Sequence, residues 1–361
     1  MSPTAARASP GAQRRCATLP GVRILSRVDT PFLVVRSVQL FVPQLVPDLP
    51  DPAEAISRRP DLQRLLARAR RQRVAADHFE AMLCGAFAVH AQDDWPVAPL
   101  TLRADGQAPG EHFWLRADPV HLHAQQSGLM LVDGARLDIA SGEAAALVDA
   151  LNRHFSADGL AFTAPAAARW YVRLPQPARL RTTPVRLAAG RSVDALLPTG
   201  ADALAWHRRA NEAQMLLHAH AVNAAREARG APAVNSLWFW GGGRLPECSA
   251  HLRVWAEDVL TRGLALCARR PLEPLPADAA EWLARAGDGE HLVTLETLSG
   301  GQRGGWDERL AHLERAWLEP LLRAVARGGL QLALVTHHAG NSLRFTLSRS
   351  DLWKLWRRVH V

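Results

Sequence analysis

The stretch 234–246, VNSLWFWGGGRLP, constrains this chain more than any other. Asn235 to Trp240 are dominated by aromatic and strand-forming residues, and they pass directly into Gly241, Gly242 and Gly243. Arg244 and a Leu-Pro stop follow. A buried strand ending in a glycine turn brings bare backbone N–H groups to the rim of a sheet, where ligands sit in open α/β folds. An arginine directly after such a turn can meet an anion with two parallel N–H donors. The same residues also read as a tight loop whose glycines satisfy positive φ while the arginine faces water. Trp238 and Trp240 share one face of the strand and are expected in the core.

With 361 residues, the chain can form one large domain with an insertion, or two domains. Its 48% apolar and 22% charged composition fits a soluble globular protein. The net charge of +8 is arginine charge, since Lys354 is the only lysine. Arg7, Arg14, Arg15, Arg23 and Arg27 lie in the first 27 residues with no acid among them. Basicity is therefore weak evidence for nucleic acid, and no aromatic-interleaved basic patch, zinc knuckle or helix-turn-helix pattern adds to it. The arginines of the tail and of 61–74 are the only route to such binding. Cys16, Cys84, Cys248 and Cys267 are widely spaced without a CxxC pair. That spacing argues against a zinc site and a disulfide framework, and fits a reducing cytosol. No apolar secretory core follows the first residues, and 31–49 is broken by Arg36, Pro43 and Pro47. A soluble cytoplasmic protein with no membrane partner is the expectation.

Residues 1–27, rich in Ala, Pro, Arg and Ser, read as a disordered tail. Residues 37–45 read as a buried strand running into a proline-rich loop. The spacing predicts a helix over 61–74, with Leu62, Leu65, Leu66 and Ala69 on one face and five arginines elsewhere. A second, more apolar helix is predicted over 77–90, then a connection over 93–110. A compact α/β module follows, with a hairpin of 120–124 and 128–132 and a helix from Ser141 to about Phe155. A strand over 170–174 closes it. Residues 201–229 predict one long amphipathic helix stopped by Gly230. Beyond the glycine strand, 250–268 is partly helical, 291–298 a strand, 306–327 a helix and 331–336 a strand. Strand, helix and strand in that spacing make a βαβ unit with parallel pairing.

Here the residues carry a resemblance. His220-Ala-Val-Asn223, Arg226, Gly230, Pro232 and the run from Asn235 through Gly241 and Gly243 to Pro246 resemble the archaeal-type cofactor-independent phosphoglycerate mutases. Those carry a His-Pro-Val-Asn…Arg…Gly…Pro-Ala-Asn-Ser-Ile-Trp-Leu-Trp-Gly-x-Gly-x-x-Pro run. Upstream, Arg116-Ala-Asp118 stands where that family has Arg-Cys-Asn, and Asp138 to Asn152 follows its Asp-Tyr-Ser-Ala-Gly…Leu-Asn helix. Trp170-Tyr171-Val-Arg173 stands where it has a Ser-Tyr-Arg strand, and Thr183-Pro184 matches a Thr-Pro-Pro-His-Asp element without its His-Asp. The likeness covers about 114–246. It implies an alkaline-phosphatase-like α/β fold, a mostly parallel sheet flanked by helices with a smaller α/β insertion. The implied division is a tail over 1–27, core over 28–112, insertion over 113–185 and core again over 186–361. The whole chain also resembles a proteobacterial group of RpfE-type regulatory proteins.

The resemblance implies two divalent ions held by Asp and His ligands beside a Ser or Thr nucleophile. Two ions about 4 Å apart clamp phosphoryl oxygens and activate the nucleophile, and such hard ions need several carboxylates. The strand ends expected to supply them do not. The first ends Phe41-Val42-Pro43-Gln44, with no carboxylate before Asp48. The strand over 291–298 runs into a glycine-rich segment, leaving only Glu296. The last reads Thr336-His337-His338-Ala339-Gly340. Adjacent strand histidines point to opposite faces, so His337 and His338 rarely share an ion. Ser299 and Ser342 are nucleophiles only if a base lies near, and there is no GxSxG elbow. His220 and Asn223, three apart on one helical face, serve either a ligand or a polar network fixing the helix end.

The leading expectation is a mutase-like protein without the bimetal site, in a regulatory or ligand-binding role, taking a small phosphorylated metabolite. Its candidate anion site comprises Gly241, Gly242, Gly243, Arg244, Arg116 and Asn223. No catalytic residue, metal ligand or cofactor is assigned, and no protein partner is named. The alternative is an active metal-dependent phosphomutase or phosphohydrolase using Asp48, Glu296, His337 and His338.

Overall fold

The computed structural model describes residues 36–45, 56–126, 128–296, 305–338 and 340–354. Every described residue belongs to one compact unit, Val35–Val361. In chain order the elements are β1 (Arg36–Phe41), α1 (Pro60–Arg68), β2 (Arg70–Val74), α2 (Phe79–Ala86) and α3 (Val97–Ala104). Next come β3 (Phe113–Gln125), β4 (Gly128–Asp133), α4 (Ser141–His154), β5 (Ala161–Ala166) and β6 (Arg169–Leu174). Then follow α5 (Ala203–His218), α6 (Ala221–Ala228), β7 (Ser236–Gly243), β8 (Arg253–Trp255) and α7 (Val259–Cys267). The chain continues through β9 (Leu272–Glu273), α8 (Ala279–Arg285), β10 (Glu290–Thr294) and α9 (Trp306–Leu313). It finishes with α10 (Glu319–Arg327), β11 (Leu330–His338) and β12 (Asn341–Leu347).

Two sheets share the work. The larger has seven strands in the order β2-β12-β11-β1-β10-β8-β9. β11, β1, β10, β8 and β9 run parallel, while β12 is antiparallel to both its neighbours. Side chains alternate across β1, as a period of two requires. Val38 and Leu40 pack with α9, α10 and α1 on one face, and Phe41 packs with α2, α3 and α7 on the other. Burial on both faces is what a parallel sheet demands. The fold is α/β, a mostly parallel sheet flanked by helices. The βαβ reading is right in direction, but β1 lies between β10 and β11.

The second sheet has five strands. β3 pairs antiparallel with β4 and β6 along one edge and with β7 along the other, and β5 closes on β6. Leu237 and Phe239 of β7 pack against α4 and α5. Trp238 and Trp240 face the other way, into a core shared with the larger sheet. β7 therefore belongs to this antiparallel sheet, and residues 236–243 join strands drawn from 113–174. The glycine strand does not end at the carboxyl rim of the parallel sheet, because its pairing partner is β3.

Three helix readings change. Residues 61–74 are not one helix: Ala69 turns to extended backbone (φ −63°, ψ 153°), and Arg70–Val74 pair with Thr346–Ser342 of β12. Pairing with an available edge overrides the helix propensity of arginine. Residues 201–229 are likewise interrupted. His220 is extended (φ −80°, ψ 138°), and its ring nitrogen accepts the N–H of Val222 at 3.2 Å, so it caps α6. The helix over 306–327 is continuous but carries a π-helical turn at Glu314–Leu318. Among the described residues no helix is long and apolar enough to cross a membrane.

Candidate functional site

The glycine run is held by the protein itself. Gly241 has φ +67°, and a Cβ there would meet Val97 at 2.9 Å. At Gly243 a Cβ would sit 2.5 Å from Pro96, so the glycines let the start of α3 lie directly on β7. Side chains accept the N–H groups of Gly241, Gly242 and the following Arg244. Gly241 donates to Thr182 Oγ1 at 2.9 Å, Gly242 to Asp94 Oδ2 at 3.3 Å, and Arg244 N–H to Gln92 Oε1 at 3.0 Å. Asp94 is buried, and burial raises its carboxyl despite hydrogen bonds from Thr182, Trp95 and Gly242. It stands on the glycine run as an internal carboxylate. The Arg244 guanidinium donates to the Glu111 carbonyl at 3.0 Å on the exposed side.

Asn223 lies elsewhere, 1% exposed, between helix and strand. Its amide donates to the carbonyls of Leu217 and Val234 at 2.7 and 2.8 Å and accepts the N–H of Val234 at 2.8 Å. Arg226 is fully buried beside it. Its guanidinium reaches the carbonyls of Pro232, Leu137 and Asp138 and the Glu143 carboxylate. This network ties α6 to the start of α4. His337 and Ser342 face each other across the β11–β12 ladder, Nδ1 to Oγ 3.0 Å, both buried. β11 thus runs past the expected strand end at Thr336 and turns back as a hairpin. Asp48, Ser299, Cys16 and the His338 side chain lie outside the described residues.

A cavity of about 410 Å³ opens where the carboxyl rim of the parallel sheet faces the second sheet. From the rim come Glu296, just beyond β10, and Glu257, Asp258 and Arg262 from the end of β8 and the start of α7. From the second sheet come Arg116 and Asp118 of β3, Asp133, Arg169 and Trp240. Glu80 of α2 and Arg186 close it between them. Of the six candidate anion-site residues, Arg116 lines this cavity, whereas Gly241, Gly242, Gly243, Arg244 and Asn223 do not.

Its electrostatics are organised around guanidinium groups. Arg186 donates to Glu296 at 2.6 Å and to Glu80 at 3.3 Å, and stacks 5.6 Å from the Phe79 ring. Burial alone would raise the Glu80 carboxyl, but the hydrogen bond from His78 and the charges of Arg186 and His78 hold it at about 2. Arg186 is itself pushed further up, since Glu80, Glu296 and Asp258 outweigh its burial. Arg116 grips Asp118 Oδ1 through Nε and Nη2, at 3.1 and 2.6 Å, between the rings of Tyr171 and Trp240. Trp240 donates to the other Asp118 oxygen at 2.7 Å. Arg169 is bidentate on Asp105, which also accepts from Tyr171.

Two groups remain less engaged. The exposed Arg262 guanidinium makes no hydrogen bond or ion pair among the described residues. Asp258 accepts the N–H of Thr261 through Oδ1 at 2.8 Å, while Oδ2 is buried with no partner among them. Burial, then the charge of Glu296, raises its carboxyl to about 6. Glu80, Glu296 and Asp118 accept from arginines, Asp258 caps a helix, and β1 ends in apolar Phe41. Among the described residues no three His, Cys, Asp or Glu side chains are grouped to hold a metal ion.

Comparison with known proteins gives weak sequence similarity and a clear fold. A 2,3-bisphosphoglycerate-independent phosphoglycerate mutase of Methanosarcina mazei is 27% identical over 130 residues. That match covers 36% of this chain and 33% of the relative, so the chain spans about a third of its length. No protein-family model matches. The PH0037 protein from Pyrococcus horikoshii superposes with a TM-score of 0.51 at 14% identity, over 90% of this chain and 91% of that one. A cofactor-independent phosphoglycerate mutase from Thermoplasma acidophilum gives 0.40 at 15% identity, over 87% and 90%. This chain has the α/β fold of the Pyrococcus protein, with phosphoglycerate-mutase-like sequence in about a third of it.

Sequence reasoning passed over Glu80, Arg186, Arg262 and Asp258. Only Asp258 had a local signal, since Asp three residues before Thr261 is a helix-cap pattern. Arg186 meets Glu80 and Glu296 across 106 and 110 residues of chain, a pairing without local pattern.

Proposed function

We propose that this chain is a phosphoglycerate-mutase-like protein that has lost bimetal catalysis. It acts in the cytoplasm as a regulatory protein of the RpfE type, binding a small phosphorylated metabolite in the cavity between its sheets. The observation that carries the reading is Arg186, whose guanidinium joins Glu80 and Glu296 at the rim. A carboxylate bonded to an arginine is a poor ligand for a hard divalent ion, which must displace that partner. Arg262 supports the choice of ligand, being the lining guanidinium with no partner of its own among the described residues. Nucleic acid is left out of the reading, since the five arginines of 61–74 divide between α1 and the edge strand β2.

The test combines three measurements on the full chain. Elemental analysis is expected to find no stoichiometric Mn²⁺ or Zn²⁺, and added Mn²⁺ to give no conversion of 3- to 2-phosphoglycerate. A thermal-shift panel of phosphorylated metabolites is expected to find one that stabilises the wild type but not Arg262→Ala. At a hundredfold excess over Kd that stabilisation is about 2.7 kcal/mol. Stoichiometric metal with mutase activity lost in Glu296→Ala would sink the non-catalytic reading. If Arg244→Ala abolishes the shift and Arg262→Ala does not, the ligand belongs on the glycine run.

A further inference from the structure

The fold brings together two cysteines that the sequence keeps 19 positions apart. Cys248 lies in the loop between β7 and β8, and Cys267 is the last residue of α7. Both sulfur atoms lie against one group, the Pro246 carbonyl oxygen, at 3.2 Å for Cys267 and 3.9 Å for Cys248. Both are free and half-buried, so small reagents reach them. Cys84, by contrast, is buried, and its thiol is pushed up by that burial.

From this convergence we propose that Cys248 and Cys267 form a peroxide-responsive dithiol that closes to an intramolecular disulfide. The electrostatics divide the roles. The hydrogen bond from Cys248 holds the Cys267 thiol below its usual range, and the nearby Arg103 charge acts in the same direction. Donating that bond raises Cys248. Cys267 is therefore the attacking thiolate and Cys248 the resolving thiol. The thiolate sulfur of Cys267 attacks one peroxide oxygen, the O–O bond breaks, and hydroxide leaves, giving a sulfenic acid. Cys248 sulfur then attacks that sulfur, its proton goes to the departing oxygen, and water leaves as the S–S bond forms. Overall two thiols and one hydrogen peroxide give one disulfide and two waters. A small dithiol reverses the change by exchange.

The experiment uses the full-length protein, reduced, freed of reductant and treated with one equivalent of hydrogen peroxide. Intact mass is expected to fall by about 2 Da. Peptide mapping without reductant is expected to show a Cys248–Cys267 cross-link that a dithiol removes. In native buffer the cross-link should form at least about tenfold faster than in urea, because the fold supplies the proximity. Cys248→Ser should accumulate a sulfenic acid at Cys267 that a dimedone probe traps, whereas Cys267→Ser should leave Cys248 unlabelled. Circular dichroism of both serine variants checks that they fold. Cross-links through Cys16 only, equal rates in urea, or separate over-oxidation of the two thiols would overturn the proposal.

Discussion

Asp258 uses its two carboxyl oxygens differently. Oδ1 caps α7, while Oδ2 is buried without a partner among the described residues and 258 sits near the charge of Glu296. Its carboxyl is raised from 3.8 to about 6, so the fold favours the protonated form. That contribution is complete below pH about 4 and is lost as pH rises through about 6. Asn caps a helix as well as Asp does and carries no charge. Asp258→Asn is therefore expected to be more stable than wild type at pH 8, by about 1–2 kcal/mol. The difference should vanish at pH 4, as urea unfolding at both pH values will report. Glu80 has the opposite sign, since its stabilisation is present above about 4.5 and is lost as pH falls through about 2. At this scale the sequence could point to Glu296 and Arg116, which stand in or beside strands. It could not show that arginines would engage the carboxylates, because each pairing depends on which loops the tertiary fold brings to the rim.

At the scale of elements, the π-helical turn between α9 and α10 carries a specific duty. It places the buried carboxylate of Glu314 on the start of α1, where Oε1 accepts the N–H groups of Asp61 and Leu62 at 2.8 and 3.3 Å. Arg59, at the cap position itself, supplies no side-chain hydrogen bond to the helix start; its guanidinium donates to Asp307 instead. Glu314 thus caps a helix that lies some 250 residues earlier, and its charge complements the positive end of that helix dipole. Glu314→Ala is expected to destabilise the protein by about 1–2 kcal/mol. Glu314→Gln, which keeps an acceptor oxygen, should lose less, and denaturant midpoints will rank the two. The apolar spacing of 306–327 made the helix legible but hid the π turn, because an extra residue barely disturbs that pattern. The opposite errors occurred at 61–74 and 201–229. In the first, a strand edge recruited arginines that would otherwise stay helical; in the second, the His220 ring replaced a helix hydrogen bond.

On the scale of the whole molecule, the tryptophans of β7 settle how the two sheets relate. Trp238 and Trp240 share one hydrophobic core with Phe41 of β1, Val254 of β8, Leu292 of β10 and Val335 of β11. Val120 of β3 and Leu131 of β4 complete the contact from the second sheet. The segment that looked like the rim of a parallel sheet is the joint between two sheets. Its aromatic face was legible as core, but the identity of the partner strand was not, since alternation says which side chains are buried and not against what. Elements that share a core gain their stability together, so the sheets should lose structure together. Trp238→Ala, whose ring packs here and whose N–H donates to the Thr183 carbonyl at 2.8 Å, is expected to cost about 3–5 kcal/mol. Hydrogen exchange followed by mass spectrometry reads the two sheets separately in the same sample. Protection should fall in β11 of the parallel sheet and in β6 of the second sheet to a similar degree. Faster exchange in β6 with β11 unchanged would show instead that the second sheet opens alone, and that the shared core does not couple them.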